Sequence, residues 1–159
     1  MMLRTLTIAA TLAVAAPVLA EEKAVDPYVQ SNASAGAKPF ADDHLLAAFH
    51  GKAGVGRIVD EMLDGCVKDP RTADIFKATD MERLRRVLKE QVVYILGGKI
   101  DYSGRDMKSV HKDQGVQQTD FNILVEYLQV AMEHEKVPFR AQNQLLARLA
   151  PMQRDVVVR

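Results

Sequence analysis

From Val55 to Met152 the apolar residues recur every three or four positions, in one segment after another, and they nowhere alternate. That period suits helices buried along one face and leaves no material for a half-buried strand, so the chain reads as all-α. The first face is Val55, Ile58, Val59, Met62, Leu63 and Cys66, closed by Asp69-Pro70. A second runs Leu84, Val87, Leu88, Val92 and Ile95. Thr79-Asp80 supplies its cap, Gly97-Gly98 its stop, and Arg83, Arg86 and Glu90 its opposite, polar side. Phe121, Leu124, Val125, Leu128, Ala131 and Met132 form a long stripe behind a Thr119-Asp120 cap, ending before Pro138. The last stripe is Leu145, Leu146, Leu149 and Met152, with a kink expected at Pro151. Between the second and third stripes lie a polar, turn-like stretch, Lys99 to Gly104, and a short segment, Arg105 to Lys112, that sets Met107 and His111 one helical turn apart.

At 159 residues, 48% hydrophobic and 26% charged, the chain has enough apolar material for one core and one domain. Lys plus Arg and Asp plus Glu both total 21, so no basic excess exists to hold a phosphate backbone, and nucleic acid is not an expected partner. Residues 1–20 carry Arg4, an apolar run from Leu6 to Ala16, Pro17, and Val18-Leu19-Ala20 just before Glu21-Glu22. That order predicts a secretory signal peptide cleaved after Ala20. The run is shorter than the roughly 20 residues that span a bilayer, so the expectation is export, to a bacterial periplasm, with no stable membrane span after cleavage. Residues 21–41, mixed in Pro, Ser, Asn, Gly and Ala, read as a flexible arm, and residues 42–159 as the domain. Cys66 is the single cysteine, which excludes an internal disulfide.

Chemistry has few places to reside. The histidines stand at 44, 50, 111 and 134, none paired at the three- or four-residue spacing of a helical metal site, which disfavours zinc. By spacing alone His111 is a surface or core histidine. Its surroundings say more: Leu96-Gly97-Gly98, then Tyr102-Ser103-Gly104-Arg105-Asp106-Met107-Lys108-Ser109-Val110-His111, then Gly115-Val116. This ordered string resembles the segment through the proximal histidine of group I truncated haemoglobins. Asp69-Pro70-Arg71 and Ile75-Phe76 upstream, and Phe121 to Val137 and Leu145 to Val156 downstream, extend the likeness over about residues 54–157.

The resemblance implies a truncated globin fold, a two-over-two helical sandwich around haem b, with His111 ligating the iron. Neutral imidazole is a good iron ligand when its other ring nitrogen is held by a carbonyl. By the same resemblance Leu63, Phe76, Leu84, Leu88, Met107 and Val116 match positions that wall the haem, while Thr79, Arg86, Tyr102 and Lys108 are placed to meet its propionates. Each apolar member would otherwise read as core, and each polar one as a solvated side chain.

The chain departs from its family on the side where gas binds. Many members place a tyrosine on the first long helix and a glutamine on the next, and both donate hydrogen bonds to dioxygen; the matching positions here are Leu63 and Leu88, with Leu84 beside them. Of the polar residues nearby, Gln91 is better placed than Tyr94, because three residues from Leu88 keep it near the same face. The opening of the first long helix, Gly51-Lys52-Ala53-Gly54-Val55-Gly56, also departs from the family's glycine pair. The expected function is therefore reversible binding or transport of a diatomic gas, O2, CO or NO. A haem enzyme with nitric oxide-oxidising or peroxidase-like activity is the alternative, and it needs a distal group to handle protons. A bundle that has lost haem stands third.

Overall fold

The computed structural model describes residues 21–157; the expected signal segment, residues 1–20, lies outside the described residues. Within them the chain forms α1 (His44–Ala48), α2 (Gly51–Lys68), α3 (Ala73–Phe76), α4 (Met81–Ile95), α5 (Met107–His111), α6 (Gln118–His134), α7 (Phe139–Leu149) and α8 (Gln153–Val156), and no strand. Short 3-10 turns cover Asn32–Ala35 and Ala150–Met152. None of these helices is long and apolar enough to cross a membrane.

Helix α2 is the centre of the molecule and packs along both α6 and α4. Its stripe Val55, Ile58, Val59, Leu63 and Cys66 is 0–1% exposed, and it meets Ile95 and Leu96 from the α4 end, Met132 from α6 and Leu145 from α7, all equally enclosed. The period in the sequence thus marks the buried faces. Burial also pushes the Cys66 thiol up to about 11, the state of an inert core thiol.

The helix ends follow local chemistry. Asp80 caps α4 by accepting the Arg83 N–H at 3.1 Å. At the other end Gly97 takes φ +85°, with Gly97 N–H donating to Tyr94 O at 3.0 Å and Gly98 N–H to Val93 O at 2.9 Å, which closes the last turn. Helix α6 begins at Gln118, ahead of the expected Thr119-Asp120 cap. Asp120 acts from inside the first turn, accepting the Gln117 N–H at 2.8 Å. The kink expected at Pro151 is the 3-10 turn between α7 and α8.

Past the end of α2, Asp69 is 7% exposed and receives the Arg71 N–H, the Arg71 guanidinium and the Tyr127 hydroxyl, while the Thr72 hydroxyl donates to Cys66 O at 2.7 Å. The Arg71 guanidinium holds the Asp69 carboxyl well below the usual carboxylate range. Because the folded value is depressed, the stability Asp69 contributes is complete above the ordinary carboxyl value, about pH 4, and fades as the pH falls below it. In Asp69→Asn the melting temperature is expected to fall at pH 7, with a shallower further loss between pH 4 and pH 2 than in the unaltered chain; thermal melts across that range check it.

Residues 21–41 lie against the domain, running along α4 and the loop that follows it. Glu22 pairs with Arg86 and Arg83, and the Lys23 N–H donates to Asp80. The Tyr28 hydroxyl donates to Ser103 O, with the Arg105 guanidinium over its ring. Asn32 accepts the Tyr102 N–H at 2.7 Å, and the Phe40 N–H donates to Ile95 O at 2.9 Å.

Candidate functional site

Helix α5 is only five residues long, too short to hold itself by its own hydrogen bonds. It starts where Asp106 accepts the Ser109 N–H at 2.9 Å, and it ends on His111. The His111 ring is half-buried, and its Nδ1 lies 2.8 Å from Met107 O, one turn back. A carbonyl can only accept, so Nδ1 carries the proton and Nε2 keeps its lone pair. Burial pushes His111 below its ordinary value, partly offset by the Met107 carbonyl, so the ring is neutral near pH 7. A neutral imidazole, fixed by one nitrogen and open at the other, is the arrangement of an iron-ligating histidine.

Other sequence-predicted residues fall into two groups. Phe76 on α3, Leu84 and Leu88 on α4, and Met107 on α5 are half-buried at the margin of the core. Incompletely covered apolar side chains and a neutral imidazole are the residue types that suit a flat hydrophobic group with a metal at its centre. Leu63, 0% exposed, and Val116, 6% exposed, are already enclosed. In chemical type, a neutral imidazole and apolar side chains left partly uncovered, the residues present fit haem.

The polar candidates differ from expectation. The Arg86 guanidinium is shared by Glu22, Glu90 at 2.8 Å and Ser103 at 2.5 Å, partners that leave it little to offer a propionate. Tyr102 is 4% exposed and its hydroxyl donates to Arg105 O at 3.0 Å; burial pushes it up to about 12, and its ring packs on Gly104, where any Cβ would overlap it. It braces the loop that carries α5. The Thr79 hydroxyl donates weakly to Ile75 O at 3.4 Å, and Lys108 is exposed.

Gln91, expected near the gas, is 4% exposed and donates instead to Ala35 O at 2.8 Å. The contributions of Glu22, Tyr28, Asn32 and Ala35 had no signal in the sequence. Gln91 had one: it interrupts the stripe Leu84, Leu88, Ile95 with a polar residue.

The chain matches the model of the bacterial-like globin family over residues 45–158. It is 34% identical to a group 1 truncated hemoglobin of Chlamydomonas moewusii over 86 residues, which are 53% of this chain and 50% of that protein, so it spans half the length of that relative. The truncated hemoglobin of Tetrahymena pyriformis in its Fe(III) form superposes with a TM-score of 0.67 at 21% identity, covering 71% of this chain and 97% of that one. The 2/2 hemoglobin of a Synechococcus species, in the cyanomet state with covalently attached heme, gives 0.66 at 22% identity, covering 72% and 98%. These likenesses carry the two-over-two helical fold.

Proposed function

Because the chain belongs to the bacterial-like globins, as a group 1 truncated haemoglobin, we propose that it binds haem b through His111 and uses it to bind a diatomic gas reversibly. The observation that carries the reading is the His111 ring, held at Nδ1 by Met107 O and free at Nε2. Haem supplies an iron centre able to take O2, CO or NO at an open position. The chain supplies the rest. Burial keeps the imidazole neutral, the Met107 carbonyl aims it, and Phe76, Leu84, Leu88 and Met107 would exclude water from the macrocycle. Lys108 and Thr79 remain the residues best able to meet propionates, since Arg86 and Tyr102 are engaged elsewhere.

Leucines at positions 63, 84 and 88 offer no proton donor or acceptor, which favours binding over oxidation chemistry. The test is stopped-flow mixing of the reduced, haem-loaded full chain with carbon monoxide and with dioxygen, followed by addition of nitric oxide to the oxygenated protein. Full recovery of the reduced spectrum on removing either gas supports the binder. Sustained catalytic consumption of nitric oxide and dioxygen, with a chemical reductant supplied to return ferric iron to the ferrous state after each turnover, replaces it with the enzyme. Residues 1–20, with their charged, apolar and small-residue order, support export to a periplasm; cell fractionation with an antibody to the chain decides it.

A further inference from the structure

Gln91 occupies a place in the α4 stripe where the helical period asks for an apolar residue. Its Nε2 lies 2.8 Å from Ala35 O, 3.6 Å from Met107 Sδ and 3.8 Å from Met152 Sδ. Ala35 is 0% exposed, so the amide joins two buried groups. The next residue, Gly36, takes φ +80° and brings the arm so close that a Cβ there would stand 3.1 Å from Met152 Sδ and 3.3 Å from Met107 Cγ. The arm, α4, the start of α5 and the 3-10 turn before α8 therefore converge on one carboxamide.

This convergence bears on His111. Met107 is the first residue of α5 and supplies the carbonyl that orients the His111 ring. A one-turn helix takes its position from its neighbours. α5 has its Asp106 cap, its packing on α8 and this contact with Gln91. A leucine at position 91 would continue the apolar stripe but could not bond to Ala35 O, and would leave that carbonyl buried without a partner.

Resting on the reading of His111 as the iron ligand, we propose that Gln91 is a positioning residue, which clamps Met107 against the arm at Ala35-Gly36 and thereby sets the placement of the His111 ring. The residues of the arm are then part of the haem site's scaffold.

Two measurements on the full chain test it, each on Gln91→Leu and on Gly36→Ala, which disturbs the same contact from the arm side. In the haem-free protein, hydrogen exchange of the α5 amides is expected to quicken about tenfold relative to the unaltered chain, with α6 and α7 unchanged. In the reduced, haem-loaded protein the iron–histidine stretching band is expected to shift or broaden at unchanged haem stoichiometry. A merely structural role would loosen all helices together and leave the band in place, and that result overturns the proposal. Should Gln91→Leu fail to fold, Gly36→Ala carries both readouts alone. If the band is absent from the unaltered chain, or persists in His111→Ala, the ligand assignment fails, while the exchange result still decides whether Gln91 clamps α5.

Discussion

Leu88→Gln is expected to slow the dissociation of dioxygen from the reduced, haem-loaded protein by roughly ten- to hundredfold, since a hydrogen bond to a charged or strongly polarised acceptor contributes about 1.5–3 kcal/mol. Dioxygen at a haem site draws negative charge toward itself, and an amide N–H aimed at that charge holds it. Leu63, Leu84 and Leu88 have nothing to donate, and Gln91 has given its amide to Ala35. Leu88 is the position to change because it is half-buried at the core margin and admits a side chain of nearly equal volume. Leu63, 0% exposed on α2, leaves no room for a tyrosine ring without repacking. Carbon monoxide, which carries less charge, should respond weakly. Laser photolysis and stopped-flow replacement measure both rates. An unchanged dioxygen rate would mean that Leu88 does not face the gas or that another donor already serves it.

Gly97→Ala is expected to cost about 2–4 kcal/mol, a loss on the order of 10 °C in melting temperature. Two independent effects add. The backbone stands at φ +85°, where a side chain is strained, and a Cβ would lie 1.9 Å from Asp42 O and 3.2 Å from Phe40 O. The nearer obstacle is backbone, so no rotamer relieves it. Gly97 both ends α4 and lets the arm pass over the loop that leads to α5, so the same change should weaken haem retention. Thermal melts of the haem-free chain check the first effect and haem transfer to an acceptor protein the second. A drop of under a degree would show that the backbone at Phe40 and Asp42 does not lie against Gly97.

The helices were legible because period, caps and stops are local. The Asp80 cap of α4 and its Gly97 end can be seen within a few residues of the turns they make. Asp120 lies three residues past the cap position, Gln117, and misleads because a carboxylate caps equally well from the first residue outside a helix or from its first turn. Helix α1 went unread; its five residues, His44–Ala48, offer too short a stripe for a period to appear. His111 was legible through the ordered string around it, and its orientation through Met107 O was not. The arm was least legible of all. Composition favours disorder there, yet it is fixed by contacts such as Tyr28 with Ser103, Asn32 with Tyr102 and Ala35 with Gln91, each spanning more than fifty residues. Arg86 and Tyr102 read from sequence as facing outward for the same reason: Glu22, Glu90, Ser103 and the Arg105 carbonyl reach them only in the folded chain.

Haem binding turns on one atom, His111 Nε2, and the direct measurement is haem titration of the full chain beside His111→Ala, with absorption spectra of the ferric, ferrous and carbon monoxide forms. The unaltered chain should take up one haem per molecule and give a sharp carbon monoxide band; the variant should bind haem weakly, with a displaced band that free imidazole restores. Equal affinity and identical spectra in the two proteins would contradict the assignment of His111 as the ligand, and failure of the unaltered chain to bind haem would contradict the function itself.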